Sequence, residues 1–311
     1  MPPYLIIASL VPVLLLIGYG VRKANGSWAN PALWIGFLAG AGGGVVAYFA
    51  EQILVALLHI GATPTLGSAA YKAFLIAAIP EEAVKYVALL IVTLVYLEGR
   101  RLQDVLLLAV GIGMGFAGLE NMLYLDHARA WQFVALVRSV SAVPAHGILG
   151  LTMGALVMAT VLTASNRWLG LLLALCLPIL LHGVYDTLGM ISSQAALNWT
   201  FPATVLVMTG SGLLAVGLCN MVLPEAAALD RPIDALRRRG PDRPPKLLAR
   251  LAGSFLFLLL ALVRFSHYDT TVCWMAAFLG VLPLILAFDL VFTRFCARDV
   301  ATPIADAPLQ A

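Results

Sequence analysis

Long apolar runs separated by short polar breaks occupy most of the chain. Nine of them, at about 4–21, 32–58, 71–97, 103–125, 131–163, 168–190, 201–223, 247–265 and 272–293, are long enough to cross a hydrocarbon core ~30 Å thick as helices. Inside hydrocarbon each backbone N–H and C=O needs a partner in its own segment, so such runs are helical. The short alternating segments of a membrane barrel are absent. The pattern predicts an all-α polytopic transmembrane helical bundle of about nine spans.

Composition agrees. The 311 residues are 61% hydrophobic and 11% charged, with a mean hydropathy of +0.95, against about 25% charged in soluble domains. A net charge of +3 is too small to suggest a nucleic-acid partner. The four cysteines stand apart, with no C-x-x-C, so neither a disulfide framework nor a cysteine metal site is indicated.

The basic residues give an orientation. Arg22, Lys23, Arg100, Arg101, Arg167, the run from Arg231 to Arg250, Arg294 and Arg298 fall on one side of the nine-span scheme. Only Lys72, Arg129, Arg138 and Arg264 fall on the other, all near span ends. The positive-inside rule then puts the N-terminus outside and the C-terminus in the cytoplasm. Arg22-Lys23 after the first run, with no basic segment before it, reads as an uncleaved anchor with an outward N-terminus.

Charge inside the spans changes the picture most. Ile79-Pro80-Glu81-Glu82-Ala83-Val84-Lys85 places three charges in the third run. Each costs roughly 2.5–3.5 kcal/mol at a bilayer centre on insertion scales. Lys85 is i,i+4 to Glu81 and i,i+3 to Glu82, so it can neutralise part of this charge. The favoured i,i+4 order points to Glu81 as its better partner, with Glu82 left facing water. Pro80 withholds a backbone donor and disturbs the turn before it.

Further polar residues lie on the other spans. Glu51 ends the second. The fourth has Gly111 and Gly115 at small-xxx-small spacing, then Glu120-Asn121. The fifth carries Pro144 and His146, and the sixth carries Pro178, His182 and Asp186. His182 and Asp186 are i,i+4, so Asp186 can fix the imidazole tautomer. At about 1.5 Å per residue, Glu82 and His182 lie on the order of 15 and 12 Å below the outer surface. Unrelated packing residues have no reason to agree in depth. The Pro224–Arg250 stretch reads as a basic cytoplasmic loop.

Glutamate and histidine can bind zinc, leave one position for water and lower that water's pKa. A metal-free site is equally possible chemically. There a glutamate beside a second carboxylate is the base, and His, Asn or Asp groups stabilise the oxyanion. The same carboxylates would also suit a proton- or cation-coupled transporter, although no repeat relates the two halves of the chain. A catalytically silent membrane scaffold is a third class.

Four motifs occur in order: Glu81-Glu82-Ala83-Val84-Lys85 (E-E-x-x-K), Phe116 to Asn121 (F-x-x-x-E-N), His146 to Gly150 (H-x-x-x-G) and His182 to Asp186 (H-x-x-x-D). As a set, over about residues 30–225, they resemble the PrsW family of intramembrane proteases, related to CAAX-protease-like proteins. The resemblance implies a membrane-embedded endopeptidase of the bacterial cytoplasmic membrane. Carried over by position, Glu81 or Glu82 activates water. Glu120, His146 and His182 bind metal or stabilise charge, with zinc the suspected ion and Lys85, Asn121 and Asp186 in support. The implied substrate is a single-span, membrane-anchored, anti-sigma-factor-like protein, cut near its extracytoplasmic juxtamembrane segment within the lipid bilayer. The organisation read from the chain is an N-terminal anchor (1–30), a catalytic membrane core carrying the four motifs (31–225) and, outside the stretch that the resemblance covers, a basic loop with two further spans (226–311).

Overall fold

The computed structural model describes residues 1–23, 28–58, 65–96, 101–162, 167–192 and 200–237, and these are helices and their connections. In chain order they form α1 (Pro3–Lys23), α2 (Pro31–Leu58), α3 (Leu66–Lys72), a π-helical segment (Ala73–Ala78), α4 (Ile79–Tyr96), α5 (Asp104–His127), α6 (Trp131–Val140), α7 (Ala142–Leu162), α8 (Arg167–Ser192) and α9 (Thr200–Arg237). Among the described residues, five helical segments are long and apolar enough to cross a membrane: Pro31–Leu58, Asp104–His127, Trp131–Leu162, Arg167–Ile191 and Ala203–Asp230. The protein is a helical membrane protein. The runs expected at 247–265 and 272–293 lie outside the described residues.

The bundle is built around α5, whose glycines admit a neighbour on two faces. Gly36 and Gly40 of α2 meet the α5 backbone at Leu108 and Ile112, and Gly111 and Gly115 of α5 meet the α2 backbone at Leu33 and Phe37. A Cβ at any of these four positions would run into a backbone carbonyl oxygen. Apolar side chains gain little by leaving lipid for one another, so close backbone approach is what holds such helices together. On the other face, Gly113 lies against the His146 carbonyl and Gly150 against that of Ala109, drawing in α7. A core of Ile35, Leu89, Val92, Leu108, Ile112, Met153 and Val157 fills the space between. Helices α8 and α9 keep large apolar residues outward, among them Trp168, Leu172, Leu206 and Leu213, a surface suited to lipid.

Three elements differ from the sequence reading, the first two for local reasons and the third for a tertiary one. The third run starts earlier, at Leu66, because Thr65 and Ser68 form a capping box. It then widens into the π-helical segment before Pro80. Pro80 has no hydrogen for the Ile76 carbonyl, and Ile79 N–H donates to the Phe74 carbonyl five residues back. The fifth run, 131–163, is two helices broken at Ser141, whose φ of −122° and ψ of −78° are not helical. The seventh is longer than 201–223. Pro224 to Arg237 continues α9 as helix where a loop was expected. Val222 and Ala226 pack with Leu106, Ala155 and Met158. Asp230 accepts hydrogen bonds from the backbone N–H groups of Leu102 (2.7 Å) and Gln103 (3.1 Å), donors that the start of α5 leaves unpaired.

The close α2–α5 approach sets a direct test. Gly40→Val is expected to lose at least the ~1–3 kcal/mol of an overpacked core, read as a lower melting temperature in detergent. Gly217→Ala, on open space in α9, should melt at or slightly above the wild type. Equal melting of both variants would show that the helices do not touch at Gly40.

Candidate active site

Three helices converge on one buried ammonium, and a fourth joins through Glu82. Lys85 Nζ on α4 donates to Glu82 Oε1 (2.7 Å) and Glu81 Oε2 (3.2 Å), one turn and less back along its own helix. It also stands 3.0 Å from His146 Nδ1 on α7 and 3.8 Å from the centroid of the Phe116 ring on α5. All three charged groups are shut away from solvent, with Glu82 at 0%, Lys85 at 2% and Glu81 at 4% exposure. The shorter contact belongs to Glu82. The expectation that Glu81 is the better partner and that Glu82 faces water is therefore corrected. Both carboxylates reach the ammonium although they are about 100° apart, because i,i+3 and i,i+4 positions are both neighbours on a helix.

The network extends from Lys85 in two directions. Toward α5, His146 Nε2 lies 2.7 Å from Glu120 Oε2. The natural arrangement is an Nε2–H donating to the carboxylate, with the Nδ1 lone pair turned to Lys85. Gly113, pressed against the His146 carbonyl, sets how close α7 stands. Toward α8, His182 Nδ1 lies 2.8 Å from Glu82 Oε1, and His182 Nε2 lies 3.3 Å from Asp186 Oδ2. A hydrogen on each ring nitrogen satisfies both contacts. The Phe74 ring sits against Gly183 and fixes α8 beside the π-helical segment. The two imidazoles face each other edge to face, 5.5 Å apart.

Exposure rises along the network. The side chains of Asp186, Glu120 and Arg138 are 22%, 17% and 12% exposed, against 0% for Glu82. The cluster is a polar mouth over a dry floor. Beside it, a small cleft between α7, α8 and α9 reaches His182, lined by Ala145, Leu181, Tyr185 and Met208 among others.

The structure thus brings Glu81, Glu82, Lys85, Glu120, His146, His182 and Asp186 into one cluster. Asn121 joins at its edge through Arg138, whose Nε donates to Asn121 Oδ1 (2.6 Å). Glu51 on α2 makes no contact of that kind among the described residues. Two residues were missed. Phe116 opens the second motif yet carries no polar atom, so nothing in its chemistry marked it as a seat for a cation. Arg138, whose Nη2 donates to Glu120 Oε2 at 2.6 Å, figures in the sequence pattern only as an orientation charge. The one available signal was its place two turns before His146.

Among the described residues, two groups have the donors for a metal: Glu81, Glu82 and His182, and Glu81, Glu120 and His146. In each, one donor atom per residue lies within 4.8 Å of the others. The trio of Glu120, His146 and His182 is divided between these groups, which share Glu81. Carboxylate oxygen and imidazole nitrogen are ordinary zinc ligands. Glu82 Oε2 is buried without a hydrogen-bond partner, an atom with lone pairs to spare. Asp186 already holds the far nitrogen of His182, as carboxylates do behind metal-bound histidines. The residues fit a metal, with the first group the better suited.

The profile of the family described as PrsW family intramembrane metalloprotease matches residues 29–213, the stretch that carries α2 to α8 and all four motifs. Protease PrsW of Shouchella clausii is 30% identical over 184 residues, covering 58% of this chain and 81% of the relative. Protease PrsW of Halalkalibacterium halodurans is 32% identical over 151 residues, covering 49% and 69%. Protease PrsW of Clostridioides difficile is 26% identical over 199 residues, covering 62% and 82%. No solved structure matches the chain. The protein is a protease of a bacterial membrane, and the chain belongs to the PrsW family of intramembrane metalloproteases.

Proposed function

We propose that the cluster around Lys85 hydrolyses a peptide bond of a single-span membrane protein, anti-sigma-factor-like, near its extracytoplasmic juxtamembrane segment. One observation carries this reading. A carboxylate with a free oxygen, Glu82, is held rigidly among cationic and imidazole groups beneath a partly open mouth. In this reading Glu82 Oε1 is occupied by Lys85 and His182, and Oε2 takes the proton of a water entering from the Glu120–Asp186 side. The resulting hydroxide attacks the carbonyl carbon. Negative charge then develops on the carbonyl oxygen, and the positive charge of the fixed Lys85 ammonium stabilises it. Glu82 Oε2 returns the proton to the amine nitrogen as the C–N bond breaks, leaving a carboxylic acid and an amine.

With a metal in place the roles change: Glu81, Glu82 and His182 would hold a zinc ion, Glu82 Oε2 then serving as a ligand and not as the base and His182 giving up the hydrogen on its ligating nitrogen, with Asp186 behind His182. A zinc ion there would polarise the carbonyl and make the bound water more acidic. Glu120 and His146 orient the other side of the site. The nine-span scheme, with the N-terminus outside and the C-terminus cytoplasmic, supports an outward mouth. The organisation we infer is an anchor at 1–30, a catalytic core at 31–225 and a basic C-terminal part at 226–311.

The central test is co-expression with candidate membrane-anchored anti-sigma factors. Glu82→Gln, close in shape, should reduce the cleaved product by about 10²–10⁴-fold at unchanged protein level. Glu81→Gln should reduce it less, because Lys85 keeps its shorter partner. Undiminished cleavage by Glu82→Gln together with loss in Glu81→Gln would transfer the base to Glu81.

The metal is tested by elemental analysis of purified protein. About one zinc per chain is expected from a single site, and clearly less in His182→Ala. Full cleavage by metal-free protein in the presence of a chelator would leave the carboxylate and Lys85 as the whole apparatus.

Orientation is tested by fusing a reporter that works only in the cytoplasm. Fusion after Arg239 should be active and fusion after Gln194 silent. The reverse pattern would place the mouth on the cytoplasmic side and exclude an extracytoplasmic cut.

A further inference from the structure

Arg138 is unusual for its setting. It lies on α6, a ten-residue helix without a single buried residue. Phe133, Leu136, Val137 and Val140 form an outward apolar stripe on this helix, each between 42% and 69% exposed. The arginine turns to the opposite side and makes three contacts with α5. Its Nη2 donates to Glu120 Oε2 (2.6 Å), its Nε donates to Asn121 Oδ1 (2.6 Å), and its guanidinium carbon lies 4.0 Å from the Tyr124 ring centroid. Asn121 is held in turn from behind, its Nδ2 donating to the Ser9 carbonyl of α1 at 3.4 Å. A planar fork gripping two adjacent side chains while lying on a third fixes direction as well as charge.

The oxygen that Arg138 grips is the one His146 Nε2 also uses. Glu120 therefore cannot turn without breaking both contacts. A carboxylate held in this orientation accepts from Nε2–H and leaves the Nδ1 lone pair for Lys85 at 3.0 Å. We infer that Arg138 is a positioning residue for proteolysis: by clamping Glu120 from α6 it fixes the tautomer and ring direction of His146, and through His146 the place of the Lys85 ammonium. This rests on the reading of Lys85 as the group that stabilises charge. The first readout below is independent of cleavage, so the two can fail separately.

The experiment uses the full chain in detergent micelles with ¹⁵N-labelled histidine. The chain has five histidines, and single substitutions assign them. In the wild type, His146 is expected as one neutral form protonated at Nε2. In Arg138→Gln the two nitrogens of His146 should move toward a tautomer average, while His182, held by Glu82 and Asp186, stays in place. Arg138→Lys, which keeps the charge but not the fork, should recover part of the His146 signature. An unchanged His146 signature in folded Arg138→Gln would overturn the inference.

Cleavage gives the second readout. If Arg138 acts through Glu120, then Glu120→Gln and Arg138→Gln each lower the turnover number, and the double variant is no worse than Glu120→Gln alone. Losses that multiply would show independent roles and overturn the coupling. If Arg138→Gln alone does not fold, the double variant, which has no unpaired charge at this place, should fold. Its failure, with Glu120→Gln folded, would make Arg138 a scaffold residue only.

Discussion

An ammonium sealed inside a membrane protein must be surrounded by groups that accept its hydrogens, and those groups must be held there. Lys85 imposes this requirement on three helices at once. Its two carboxylates come from its own helix, its imidazole from α7 and its aromatic face from α5. Each partner has further partners: Glu120 and Arg138 beyond His146, and His182 and Asp186 beyond Glu82. The cost of leaving any one charge unpaired in low dielectric is several kcal/mol, so the members constrain one another. A site so constrained needs little rearrangement when charge develops on a substrate, which is where electrostatic catalysis draws its strength.

Such a network needs helices that approach to backbone contact, and side-chain packing alone would hold them too far apart. The glycines of α2 and α5 provide that approach on one face of α5, and Gly113 and Gly150 provide it on the other. The consequence reaches the chemistry directly. Gly113 lies against the carbonyl of His146 itself, so the distance from α5 to α7 is set at the residue whose ring spans Glu120 and Lys85. Irregular backbone completes the aim. The π-helical segment before Pro80 and the break at Ser141 occur at the approaches to the acidic pair and to His146. Departures from a regular helix are tolerated at membrane depth where protein surrounds them.

The polar gradient gives the cluster a direction. Asp186, Glu120 and Arg138 remain partly exposed while Glu82 is not exposed at all. Water and a peptide would meet the clamp of Arg138 and Glu120 before they meet the floor. The floor is therefore dry until something enters, a setting in which a carboxylate and an ammonium act on each other and on a substrate far more strongly than in water.

The sequence by itself determined the helical membrane class, because long uncharged runs admit no other backbone in hydrocarbon. It also determined which residues belong together. Glu81, Glu82, Lys85, Glu120, His146, His182 and Asp186 were legible because charge and imidazole within apolar runs are costly and so are seldom there without a partner. It left open which atoms meet. The shorter bond from Lys85 goes to Glu82, and helical spacing, which makes both carboxylates neighbours of the ammonium, does not rank them. Arg138 was hidden because it lies on a helix separated from α7 by a kink at Ser141, and a hydropathy run passes smoothly over such a kink. The continuation of α9 to Arg237 was hidden because its anchor, Asp230, caps the start of a helix more than a hundred residues earlier in the chain. Composition shows what must be buried with a partner. Which partner it is depends on distances between segments remote in sequence, and only the tertiary structure decides those.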